Sequence, residues 1–131
     1  MNQETIRAFC KKLPHVTETV QWGHDLVFKV GGKMFCVMAT EPVSVPISFK
    51  ASRENFVALQ EIDGIIPAPY MARAQWVALK RLNAIADAQF KDLLREAHAI
   101  VFASLTKKLQ AELSAPKKKP TKKAAKKSVG R

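Results

Sequence analysis

The stretch VFKVGGKMFCVM, residues 27–38, decides how the rest of the chain is read. Two runs rich in β-branched and aromatic residues flank Gly31 and Gly32. A two-residue type I′ hairpin turn needs positive φ at both central positions, and glycine takes that conformation without steric cost. The rival reading is a phosphate-cradling loop. Such a loop needs a glycine five residues before the Gly-Lys pair, a Ser or Thr after it, and a helix to follow. Here Val27 precedes, Met34 follows Lys33, and the next run is strand-like, so the stretch predicts a β-hairpin. The simplest register pairs Val30 with Lys33 and Phe28 with Phe35. Leu26, Phe28, Phe35 and Val37 then form the core face. Val27, Lys29, Met34, Cys36 and Met38 form a second face, unusually apolar for one in water.

Upstream, Ile6, Phe9, Cys10 and Leu13 recur at helical spacing and Pro14 ends the run, which predicts an amphipathic helix. ETVQW, residues 18–22, is a short strand candidate. Downstream, VSVPISFK alternates, with Val43, Val45, Ile47 and Phe49 inward and Ser44, Pro46, Ser48 and Lys50 outward. Pro46 cannot donate to a ladder, which predicts an edge strand or a bulge. Ser52 is an N-cap candidate for a short helix with Phe56, Val57 and Leu59 inward. DGIIPAPYMARA reads as a loop and QWVALK as the last strand. A long helix is predicted from Asp87, with Phe90, Leu94, Ala97, Val101, Leu105 and Leu109 on one stripe, ending near Leu113. The order α-β-β-β-β-α-β-α with antiparallel strands predicts an α+β fold, a twisted antiparallel sheet flanked by N- and C-terminal helices.

The 131 residues suffice for one core and are 47% hydrophobic, in the globular range. No apolar run reaches the ~20 residues of a membrane span, so no membrane partner is expected. The N-terminus lacks the positive-then-apolar pattern of an export signal, which points to a cytoplasmic protein. Cys10 and Cys36 are accordingly read as reduced, buried thiols, with a disulfide between them the lesser reading.

The net charge of +11 is unevenly placed. From Pro116 onward there are seven lysines and one arginine with no acid, a charge of +8. The preceding 115 residues carry 14 basic and 11 acidic side chains, a charge of +3. The division expected is a folded domain over 1–114 and a disordered Lys-rich tail over 115–131. The tail has too little apolar surface to offset chain entropy, and its charges repel. Lys117, Lys118, Lys119, Lys122, Lys123, Lys126, Lys127 and Arg131 are its candidate phosphate contacts. Polyvalent lysine binds nucleic acid by releasing condensed counterions, whatever the base sequence.

Other chemistry is sparse. His15, His24 and His98 lack ligand spacing, so no metal site is expected. His24-Asp25 reads as a polar turn rather than a catalytic pair, because no nucleophile motif accompanies it. Cys36, in mid-strand, reads as an inert thiol. Trp22 and Trp76 suit core packing, with base stacking as the competing role. No cofactor and no enzymatic activity are expected.

Phe28-Lys29-Val30-Gly31-Gly32-Lys33-Met34-Phe35, then Pro67-Ala68-Pro69-Tyr70 with Trp76-Val77, then a closing helix, resemble the MmcQ/YjbR family. The resemblance covers about Ile6 to Leu113. It implies a small bacterial cytoplasmic protein with a CyaY-like α+β fold, and a DNA-binding rather than an enzymatic role. The fold shared with bacterial frataxin raises iron binding as a rival. That function uses acidic residues on the first helix, whereas here Glu4 is accompanied by Arg7, Lys11 and Lys12. The Lys-rich tail lies outside the family core.

Three readings follow. The first is a non-enzymatic DNA-binding protein, nucleoid-associated, that docks a sheet face or hairpin edge on a duplex with little sequence specificity. Lys29, Lys33, Lys50 and Arg73 are its candidate phosphate contacts in the domain, and the tail supplies most of the affinity. The second is a protein-interaction domain whose apolar second face binds a partner or a second copy as a homodimer, with the tail as a polycation tether. The third is a small-ligand or enzymatic pocket near Tyr70 and Trp76.

Overall fold

A computed structural model of the protein describes residues 1–21, 25–41, 45–69 and 72–114. The expectations for Trp22, His24, Val43, Ser44, Tyr70 and the tail fall outside these residues. The elements run α1 (Gln3–Lys12), β1 (Val16–Gln21), β2 (Asp25–Val30), β3 (Lys33–Ala39), β4 (Ile47–Lys50), α2 (Arg53–Leu59), β5 (Ile65–Pro67), β6 (Trp76–Leu79), α3 (Asp87–Ser104) and α4 (Lys107–Ser114). A 3-10 turn at Ala72–Ala74 leads into β6. The fold is α+β. The six strands form one antiparallel sheet in the order β1-β2-β3-β4-β6-β5.

Local chemistry sets the helix starts. Asn2 and Thr5 form a capping box, each side chain accepting from the other's backbone N–H at 2.9 and 3.0 Å. Ser52 caps α2 as expected, its Oγ accepting from Asn55 N at 3.1 Å. The predicted single C-terminal helix is two. α3 stops at Leu105, which is extended at φ −72 and ψ 159. Thr106 then caps α4, its Oγ1 accepting from Leu109 N at 3.1 Å. A threonine able to cap a new helix competes with continuing the old one, and the apolar stripe alone does not register that.

The hairpin forms at Gly31 and Gly32, with φ of +60 and +83. Val30 pairs with Lys33, as the sequence predicts, and Lys29 with Met34. A bulge then shifts the register, so that Phe28 faces Cys36 and not Phe35. One extra residue turns every following side chain to the other face. Phe35, Cys36 and Met38 therefore all join the core, whereas Val37 moves to the second face. The expected second face loses Cys36 and Met38 and keeps Val27, Lys29 and Met34.

Four further corrections concern residues 45–79. β4 is interior, between β3 and β6, because Pro46 lies just before the strand, where its carbonyl accepts from Ala39 N at 2.9 Å. Val45, outside the ladder, packs on the second face with Ala68, Trp76 and Ala78. The expected loop around Gly64 contains β5, a three-residue edge strand ending at Pro67, where a missing donor costs nothing. On α2, Leu59 is buried and Phe56 half-buried, but Val57 is exposed.

Helices α1, α2 and α3 cover one face of the sheet. α1 lies along β1, α3 crosses β2, β3 and β4, and α2 leans on β5 and β6. The core between the layers holds Ile6, Phe28, Phe35, Phe49, Val77, Leu79, Phe90 and Leu94 with no accessible surface. Burying a side chain of this size contributes about 1.5–3 kcal/mol, which locks the helical layer to that face. The opposite face carries Lys29, Met34, Val37, Ser48, Lys50, Ile66, Trp76 and Ala78, by strand alternation from the register.

Candidate nucleic-acid interface

Register brings the four cations nominated in the domain to one end of the sheet. Lys29 is opposite Met34 and lies one residue from the hairpin turn. Cys36 pairs with Phe49, so Lys50 lies one residue further toward the hairpin, where it pairs with Trp76. Arg73 sits in the 3-10 turn that enters β6 beside Trp76. Lys33 opens β3 at the turn itself.

The four are not equivalent. Lys33 and Arg73 are exposed, and Lys29 is half-buried. Lys50 is half-buried, and its Nζ donates to the backbone carbonyl of Ala74. Burial lowers its pKa from the ordinary lysine value. Lys50 thus fastens β4 to the 3-10 turn. Trp76 is 4% exposed, so its ring has no free face for a base and takes the packing role.

Glu18, on the strand beside the first helix, is already engaged. Arg7 donates to both Glu18 carboxylate oxygens at 2.6 and 2.8 Å. That hydrogen bonding holds the Glu18 carboxyl below its usual range, against the opposing effect of burial. Among the described residues no group of three or more His, Cys, Asp or Glu is placed to hold a metal ion. Cys10 and Cys36 are buried free thiols. Burial, and then the hydrogen bond to Cys10, push the Cys36 thiol well above its ordinary pKa. No described helix is long and apolar enough to cross a membrane.

Sequence reasoning treats His15 and His98 as unrelated, yet the fold brings them together. Both rings stack on Phe102, with centroids 6.3 and 6.4 Å away and interplanar angles of 23° and 10°. His98 also meets Phe35 edge-on at 5.5 Å, and its Nε2 is 2.7 Å from the Pro14 carbonyl. A carbonyl only accepts, so Nε2 carries the proton. His15 holds φ of +64, the left-handed region. Around these rings is a cavity of about 400 Å³, lined by Pro14, His15, His98, Ala99, Phe102 and Ser114. Residues 84 positions apart in sequence meet there, and no local spacing signals the contact.

α4 ends at this cavity. Leu105 and Leu109 lie against Gly31 of the hairpin, and Ser114 lines the cavity beside Pro14 and His15. Val16, the next residue, pairs with Val30 at the hairpin end of β2. The described chain therefore stops at the same end of the sheet as Lys29 and Lys33.

The YjbR family model matches residues 11–100. An uncharacterized protein of Escherichia coli O157:H7, YbdF, is 29% identical over 110 residues, covering 82% of this chain and 89% of its own. The crystal structure of the Deinococcus radiodurans protein DR2400, with a DUF419 domain, superposes with a TM-score of 0.75 at 27% identity. That match covers 86% of this chain and 88% of the other. A Pseudomonas syringae protein shares the fold with a TM-score of 0.64 at 18% identity, over 77% of this chain and 99% of its own.

Proposed function

This chain belongs to the YjbR family, and from that footing we propose that it is a non-enzymatic DNA-binding protein, acting at the nucleoid. It contacts phosphates with little regard to sequence. The tail supplies most of the affinity, and the hairpin end of the sheet docks on the duplex. The observation that carries this reading is the common end: Lys29, Lys33 and Arg73 gather where α4 hands the chain to eight further cations. Lys50 is the weakest of the original candidates, since it is already bonded to Ala74.

Eight tail contacts contribute about −7 to the salt slope and three domain contacts about −3 more, so the parent slope is near −10 at about −0.9 per phosphate neutralised. The test is fluorescence anisotropy of a labelled duplex over a salt series, with the full chain and with a full-length variant whose tail lysines are glutamine. The parent is expected to show the steep slope. The variant, which keeps Arg131, retains a shallow one, about −3.6 from Arg131 and the three domain contacts. Absence of salt-dependent binding by the parent overturns the proposal.

A second reading has its own observation. Met34, Val37, Val45 and Ile66 are half-buried apolar side chains grouped around Trp76 and Ala78 on the second face. If that face binds a partner or a second copy, Val37→Asp abolishes self-association in sedimentation and leaves the salt slope unchanged.

A further inference from the structure

We propose that the cavity at the root of the tail is a site for an unpaired nucleobase. The proposal rests on the nucleic-acid reading above and adds a preference that reading does not contain.

The cavity, of about 400 Å³, is within the range of small-ligand sites and has room for one base. Its lining is mainly apolar and aromatic, with two imidazoles and the Ser114 hydroxyl as its polar groups. Among the described residues no carboxylate lines it to repel an anion. His98 Nε2 is committed to the Pro14 carbonyl, which leaves Nδ1 as an acceptor without a protein partner among the described residues. The exocyclic amino groups of adenine, cytosine and guanine are donors of the matching kind. The exposed ring of His15, stacked on Phe102, offers a π-face for the base.

Other occupants fit less well. An aliphatic ligand would leave the imidazoles and the hydroxyl without partners. A metal ion would find only two imidazoles among the described residues, short of the three or more ligands a metal site needs. Charge favours a nucleotide as well. Three residues beyond Ser114 the chain reaches Lys117, the first of the tail lysines, so the phosphates flanking a seated base lie within the tail's reach. A base inside a duplex cannot reach the cavity, so the site selects overhangs, gaps and bulges.

The test uses the full-length protein and two duplexes with equal phosphate counts. One is blunt, and the other carries an unpaired 2-aminopurine in a short overhang. Stacking in the cavity is expected to quench the 2-aminopurine and to tighten binding of the overhang duplex about fivefold or more. His15→Asn keeps the left-handed backbone, which asparagine tolerates, and removes the ring. Ala99→Trp fills the cavity from an exposed position on α3. Each should erase both the quench and the preference and leave blunt-duplex affinity unchanged. Equal affinity for the two duplexes, without quenching, overturns this proposal and leaves the phosphate-binding reading standing. If neither duplex binds, the nucleic-acid reading fails, and this proposal with it.

Discussion

Gly31 lies directly beneath Leu105. A Cβ on Gly31 would stand 2.5 Å from Cδ1 of Leu105 and 3.2 Å from Cδ2 of Leu109. The glycine that turns the hairpin is therefore also the seat on which the break between α3 and α4 rests. Gly32, its neighbour in the turn, faces open space.

The two glycines should respond differently to alanine. Gly32→Ala meets only the left-handed backbone penalty, about 1–2 kcal/mol. Gly31→Ala meets that penalty and an overpacked contact, which costs about 1–3 kcal/mol more. Adding Leu105→Ala to Gly31→Ala should recover part of the second loss, a non-additivity read from urea unfolding of the four proteins.

Acid should weaken the α1–β1 contact. The bond to Arg7 lowers the Glu18 pKa in the folded state. A depressed carboxylate contributes stability that is complete above its unfolded pKa, about 4.3, and is lost as pH falls through the folded value. Glu18→Gln should be less stable than the parent at neutral pH, and the two should converge as pH falls below the unfolded carboxylate value and through the lowered folded one. Chemical unfolding at a series of pH values checks this.

The two thiols should be silent in the native protein. Cys10 and Cys36 are inaccessible, and Cys36 ionises only well above its ordinary range. A thiolate-specific disulfide reagent at mildly alkaline pH should find neither thiol before unfolding and both after it. Cys36→Ser leaves a hydroxyl in an apolar site and should cost about 1–3 kcal/mol, measured by thermal or urea unfolding.

The sheet-end lysines should separate by salt slope. Lys33 is exposed, whereas Lys50 donates to the Ala74 carbonyl. Lys33→Gln should make the slope about 0.9 shallower, one phosphate contact. Lys50→Gln should leave it nearly unchanged and instead lower thermal stability by loosening the 3-10 turn before β6.

Much of the fold is legible locally. The Gly31-Gly32 turn, the Ser52 cap and the apolar stripe of α3 each depend on residues within a few positions of one another. The bulge between Phe28 and Lys29, opposite Phe35, is not legible, because either register leaves an apolar set facing the core. The choice falls to the packing of Phe35 against His98 and of Cys36 against Cys10. β5 is hidden for a related reason. Three residues ending in proline have weak strand character, and only pairing with β6 stabilises them.

The candidate site divides along the same line. By itself the sequence determined that eight cations crowd the last sixteen residues and that two strands meet at a double glycine, since charge and turn conformation are properties of neighbours. The tertiary structure alone decided that Lys50 is spent on Ala74, that Trp76 hides its ring, and that His15, His98 and Phe102 line an open cavity beside Ser114. Those facts depend on which faces pack together, and burial between elements far apart in the chain is decided by the whole core and not by any one segment.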